Sequence, residues 1–199
     1  MNILICPDKF KSSLTAQEAA EALAKGILAK RKKSSIQIIP LADGGEGTLE
    51  MIQNMHGGAW LSQTVQDPLG RSVDASYLWL ADQKTAYIEM ARCSGLQLLN
   101  TKERNPLKTN TFGTGELIQH AAKQGAKVIV LTIGGSATND AGIGMAAALG
   151  YQFIDQKGAQ ITAIGENLSE IADIKGSNPY PSIQFIVLSD VSNPLHGPN

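Results

Sequence analysis

The sequence is short of most of the residues that announce a specialised site. It has two cysteines, Cys6 and Cys93, and neither lies in a CxxC or Cys/His cluster, so no zinc site is indicated. Two lone thiols fit a reducing cytoplasm, where buried thiols stay unpaired, and the cytoplasm is the expected compartment. The three histidines, His56, His120 and His196, are scattered without metal spacing and read as surface residues. Charge of one sign is not in excess: 17 basic residues face 18 acidic ones, for a formal net charge of -1. That removes the electrostatic reason to expect nucleic acid. The one basic run, Lys30-Arg31-Lys32-Lys33, reads as the charged end of a helix, where cations suit the negative end of the dipole. No apolar run approaches the roughly 20 residues needed to span a bilayer. The N-terminal MNILIC stops at Pro7-Asp8 and lacks the length and basic start of a signal peptide. Internal repeats and low-complexity segments are missing too.

What is present is the composition of a soluble globular chain, 43% apolar and 18% charged over 199 residues, enough for one domain or two small lobes. Residues 2–6 read as a short buried strand and PDKFKSSL as a polar loop. Thr15 with Glu18 three residues on has the spacing of a capping box, opening a helix with apolar residues at 19, 20, 23, 24, 27 and 28. Residues 36–41 predict a strand, with Pro40 at its edge or end, and 48–55 an amphipathic helix closed by Gly57-Gly58. This is the start of an α/β layer. After Gly58, alternating apolar and polar residues broken at DPLG and ADQK predict an antiparallel meander, so a lobe boundary falls near 58. A helix at 114–124, a strand at 127–133, a helix to about 149, a hairpin over 151–161, a short helix and a buried strand at 183–188 complete the pattern. A buried strand followed by turn chemistry expects a covering helix, and the chain reads as truncated.

Chemistry is suggested by small-residue turns at strand ends. In IGGSATNDAG, Gly134 and Gly135 let backbone approach a ligand, and successive N–H groups after a strand can line one concavity. The helix expected next would bring its positive end to the same spot. Ser136, Thr138 and Asn139 add donors, and Asp140 completes the motif. A phosphate suits all of these; the competing reading is a sharp turn with Ser136 or Thr138 as helix cap. The glycine spacing is neither Walker A nor GxGxxG. In LADGGEGT, Asp43 and Glu46 flank Gly44-Gly45 where a strand meets a helix, and ligands collect at such strand ends. Asp43 can hold Mg²⁺ or take a proton from a hydroxyl; Glu46 is equally a first-turn partner of the helix dipole. Lys9 and Lys11, after Asp8 in the first loop, are cations for phosphate or merely solvated. NTFGTGEL repeats the strategy with Thr114, its Glu116 reading as a dipole partner. Asp190 follows a strand as a further polar tip. Together these turns favour phosphoryl transfer over a hydrolase triad, and no G-x-S-x-G elbow is present.

PDKFKSSLTA, PLADGGEGT, DPLGR, RNPLKTNTFGTGELI, IGGSATNDAGIGMAAALG and DVSNPLHG, in this order, resemble the type I glycerate kinase family. The resemblance runs over the whole chain, with mild departures at Lys9, Ser12, Asn110, Phe112 and Ala141. It implies ATP and Mg²⁺ as cofactors, D-glycerate as substrate and a phosphoglycerate, usually the 2-phospho isomer, as product. It implies an α/β fold of two lobes: a Rossmann- or flavodoxin-like lobe, to which 1–58 would contribute its N-terminal part, and an inserted mixed α/β lobe, 59–199, carrying the meander. The active site would lie in the cleft between them. On this reading Asp43 orients or deprotonates the attacking hydroxyl, Lys9 and Lys11 offset phosphate or carboxylate charge, and Asp190 competes for the base role or holds Mg²⁺. Asp8, Gly44, Gly45, Glu46, Thr114, Gly134, Gly135, Ser136, Thr138, Asn139, Asp140 and Asn193 would bind substrate or phosphate. A homodimer is left open. The alternative from another class is a non-catalytic nucleotide- or sugar-acid-binding module, or an inactive remnant. A dehydrogenase is disfavoured because no dinucleotide fingerprint follows the first strand.

Overall fold

The computed structural model describes every residue except Lys11, Ser12, Asp43, Glu46, Asp190 and 192–199. Strands β1 (Asn2–Ile5) and β2 (Ser35–Ile38) pair in parallel and are joined by helix α1 (Ala16–Lys30). The capping box forms: Glu18 N–H donates to Thr15 Oγ1 at 3.2 Å, and Thr15 N–H donates to the Glu18 carboxylate at 2.8 Å. Pairing continues past both strands, with Leu41 N–H donating to the Pro7 carbonyl at 2.9 Å. The first loop and the segment after β2 therefore leave the sheet at the same edge.

Helix α2 (Thr48–His56) leads to the meander β3 (Ala59–Gln66), β4 (Ser72–Leu80) and β5 (Thr85–Glu89), which is antiparallel as its alternation predicts. At the DPLG turn, Asp67 Oδ1 accepts from the N–H groups of Leu69 and Arg71, the usual work of an aspartate that opens a turn. Then come α3 (Ala91–Ser94), α4 (Phe112–Lys123), β6 (Val128–Thr132), α5 (Ile143–Ala148), β7 (Gln152–Ile154), β8 (Asp173–Lys175) and β9 (Gln184–Leu188). The larger sheet runs β3-β4-β5-β6-β9, antiparallel through β5 and parallel beyond it. Its register sets Glu89, Thr132 and Leu188 in one row at the ends of the three parallel strands.

One face of this sheet, with Tyr77, Ile88, Ile129 and Leu131, packs on Leu117, Ile118 and Ala121 of α4. On the other face, Leu49 and Ile52 of α2 cover Leu78, Leu80, Trp60 and Tyr87. Helix α2 precedes residue 58 in sequence but buries its apolar side on the strands that follow it. Among the described residues, no helix is long and apolar enough to cross a membrane.

Two local expectations are corrected. The first and last strands are mostly exposed: Leu4 is 58% and Val187 55% exposed, and only Ile5 is buried, because β1 belongs to a two-stranded sheet and β9 is the edge of the larger one. An apolar run marks a face fit for burial, not one that is covered. Cys6 is exposed, and only Cys93 is a buried thiol. The expected hairpin at 151–161 forms, but short: Asp155 N–H donates to the Ala159 carbonyl and Ile161 N–H to the Phe153 carbonyl, both at 2.9 Å, while the longer ladder of β7 is made with β8, further along the chain.

Candidate functional site

Two small-residue turns meet at the ends of the parallel strands. After β6 the chain turns through Gly134, whose N–H donates to the Gly44 carbonyl at 3.4 Å. A Cβ placed on Gly134 would come within 2.7 Å of Gly45 Cα, so the two backbones touch and only glycine fits. Gly44 has a φ of +87°, and a Cβ there would lie 3.4 Å from the Leu188 carbonyl at the end of β9. The Gly44-Gly45 corner, the Gly134 turn and the β9 tip are thus one locality. The first loop joins the corner's own edge through the Leu41–Pro7 bond, and there the Asp8 carboxylate accepts from Lys9 N–H at 2.6 Å.

The turn after β6 is fastened from below. Leu96 N–H donates to the Gly135 carbonyl and Ala137 N–H to the Ser94 carbonyl, and Ser136 pairs with Gly95. Gly134, Ser136 and Thr138 stay half-buried and Gly135 and Asn139 exposed. The side chains of Ser136, Thr138 and Asn139 make no hydrogen bond among the described residues, which leaves their donors for a ligand. Asp43, Glu46, Lys11, Asp190 and Asn193 lie outside the described residues.

Two residues expected to touch a ligand are spent internally. Asp140 is 2% exposed, and its carboxylate accepts from the N–H groups of Thr111, Gly142 and Gly144 and from Thr111 Oγ1, at 2.8–3.1 Å. Thr111 Oγ1 in turn accepts from Met145 N–H. The helix expected to point at an incoming anion begins only at Ile143, beyond the glycine turn, and the anion at its start is the protein's own. Thr114 is buried, with Oγ1 2.9 Å from Ser94 Oγ and 3.4 Å from Cys93 Sγ. The glycines beside it serve packing: a Cβ on Gly113 would sit 1.9 Å from the Gln66 carbonyl, and one on Gly115 2.5 Å from that of Met145. Glu116, read as a dipole partner, accepts from Gln66 N–H at 2.6 Å.

The sequence did not single out the charged cluster beneath the corner. Glu89, at the end of β5, has a side chain only 2% exposed and accepts from Arg92 Nε at 2.8 Å. Arg92 also donates to Ser76 Oγ and pairs with Glu50 of α2, and its guanidinium lies 4.6 Å from the centre of the Trp60 ring. Burial works against the Arg92 charge, and the Glu50 and Glu89 carboxylates outweigh it, so its pKa stands above the ordinary arginine value. The one available signal was a glutamate ending the otherwise apolar run TAYIE. Among the described residues, no group of three His, Cys, Asp or Glu side chains could hold a metal ion.

Comparison with known proteins gives a consistent picture. Residues 3–199 match the glycerate kinase family. The chain is 44% identical over its full length to the glycerate 2-kinase of Escherichia coli (strain K12), covering 53% of that protein. It is 45% identical over 98% of its length to the glycerate kinase of Halalkalibacterium halodurans, covering 52% of it. A crystal structure from Salmonella typhimurium LT2, assigned as glycerate kinase 2, superposes with a TM-score of 0.79 at 42% identity, over 99% of this chain and 54% of that one. The chain spans about half the length of the relatives it matches.

Proposed function

Since this chain belongs to the glycerate kinase family, we propose that it carries the phosphate-handling corner of an ATP-dependent kinase acting on D-glycerate, with 2-phosphoglycerate as product and the cytoplasm as compartment. The observation that carries this reading is the contact of Gly134 with Gly44 and Gly45 at the tips of parallel strands. Backbone meets backbone there, with hydroxyl and amide donors alongside, which suits a ligand rich in oxyanions. Phosphoryl transfer needs mostly positioning and charge stabilisation, and such a corner supplies both.

In the proposed reaction the substrate hydroxyl attacks the γ-phosphorus of ATP. The new O–P bond forms as the bond to the β-phosphate oxygen breaks, ADP leaves, and the hydroxyl proton passes to Asp43. Lys9 and Lys11 offset charge on the phosphates or the glycerate carboxylate. Ser136, Thr138 and Asn139 donate to phosphate or carboxylate oxygens. Mg²⁺, when bound, would neutralise phosphate charge, and Asp190 is its proposed ligand. Asp140 and Thr114 act one layer below, holding the turn in shape.

In a protein of the relatives' full length, Asp43→Ala is expected to lower kcat for glycerate phosphorylation by about a hundredfold or more, the usual effect of losing a general base. A kcat within a few-fold of wild type would exclude Asp43 from the chemistry. Calorimetric titration of the 199-residue chain with ATP-Mg and with glycerate tests the corner itself. Binding without turnover would favour a binding module, and no binding of either would refute the site.

A further inference from the structure

We infer that Arg92 is a positioning residue of this site: bridging Glu89 and Glu50, it docks the first turn of α2 on the sheet and so holds the Gly44-Gly45 corner against Gly134. The inference rests on the proposed function only for its effect on ligand. Three bonds define the device. Arg92 Nε donates to the buried Glu89 at 2.8 Å, Nη1 donates to Ser76 Oγ at 3.2 Å, and Nη2 pairs with Glu50 of α2. Glu89 and Ser76 belong to the sheet and Glu50 to the helix, so one guanidinium spans both. The planar fork sends three separate nitrogens to three acceptors, a geometry that the single ammonium nitrogen of lysine does not reproduce. Trp60 links the two partners: its ring lies against Arg92, and its Nε1 donates to Gln53 of α2 at 2.8 Å.

The path from α2 to the corner is short. Thr48 N–H and Oγ1 both donate to the Gly45 carbonyl, at 3.2 and 2.6 Å, and Gly134 N–H donates to Gly44. A helix start that lifts from the sheet carries the corner away from the β6 turn. Glu89 and Thr132 are register partners, so the arginine is anchored one strand away from the turn it steadies.

The test is amide exchange and amide chemical shift in the 199-residue chain, comparing wild type with Arg92→Lys and Glu50→Gln. Both variants are expected to shift the Gly134 resonance and to speed exchange at Thr48, Met51 and Gly134 by roughly three- to tenfold, with Ile129 and Val130 unchanged. Wild-type exchange and shift at those three amides in folded variants would overturn the docking role. Glu50 is 52% exposed, so Glu50→Gln keeps the fold and decides the matter if Arg92→Lys unfolds. Titration with ATP-Mg gives the second readout: affinity should fall by a similar factor in both folded variants, and in Glu50→Gln at an unchanged unfolding midpoint. Equal affinity in all three proteins would overturn the positioning role. A wild-type chain that binds no ATP would instead sink the proposed function, with docking still judged by exchange.

Discussion

Asp140 and Cys93 show at the residue scale how a polar atom's value depends on what surrounds it. Asp140 offers one carboxylate to four donors in a buried site. Asp140→Asn keeps the size but turns one acceptor into a donor facing N–H groups. It should cost about 3 kcal/mol, because buried donors left unsatisfied cost about 1–3 kcal/mol each. Urea unfolding of the two proteins measures this, and a loss below about 1 kcal/mol would mean the bonds are weaker than one ordinary hydrogen bond. For Cys93, burial pushes the thiol from its ordinary 9.0 up to about 11, against hydrogen bonds from Thr114 and Ser94 that pull it down. The unfolded chain then holds fewer protons than the folded one across that window. Stability is fully present below pH 9.0 and falls as pH rises toward about 11. Burial raises Tyr77 likewise, from 10.0 to about 12, so the thiol acts alone only below pH 10.0. Cys93→Ala should flatten the slope there, as denaturation midpoints measured at several pH values will show.

At the scale of an element, two helices use glycine for opposite reasons. Gly26 lies in α1 with nothing within 4 Å of a Cβ built on it, so it only adds disorder to the unfolded chain. Gly26→Ala should stabilise by about 0.5–1 kcal/mol. Gly113 opens α4, where a Cβ would sit 1.9 Å from the Gln66 carbonyl of β3. Gly113→Ala must push helix from sheet and should cost about 1–3 kcal/mol, the range of overpacked cores. Thermal unfolding of the pair should move in opposite directions; movement in the same direction would contradict the α4–β3 contact. Both glycines look alike in sequence, one in LAKGIL and one in NTFGTG. Periodicity tells that each sits in or at a helix, but not what faces it.

For the whole molecule, the decisive feature is that residues 44–45, 134 and 188 share one place although they are far apart in sequence. Gly134→Ala tests this directly, since the added methyl would meet Gly45 Cα at 2.7 Å. The corner should open, with an expected stability cost of about 1–3 kcal/mol and a loss of affinity for ATP-Mg of tenfold or more, equivalent to about 1.4 kcal/mol. Unchanged affinity by calorimetry would place any nucleotide elsewhere. Neither of the two hollows on the α1 side, of about 380 and 460 Å³, is lined by a residue of this corner.

Sequence alone determined the elements and their turns, because those follow from local chemistry. The capping box at Thr15 and Glu18 formed, the alternation after Gly58 became the meander, and Gly44, Gly45 and Gly134 were recognisable as strand-end turns. Tertiary structure alone decided how each polar group is used. Asp140 and Thr114 turned inward because α4 and α5 close over them, and the Glu89–Arg92–Glu50 cluster appeared only once α2 was laid on the sheet. Hydrogen-bond partners and backbone contacts join residues far apart along the chain. No local pattern encodes them, so they come into being only when the strands take their order.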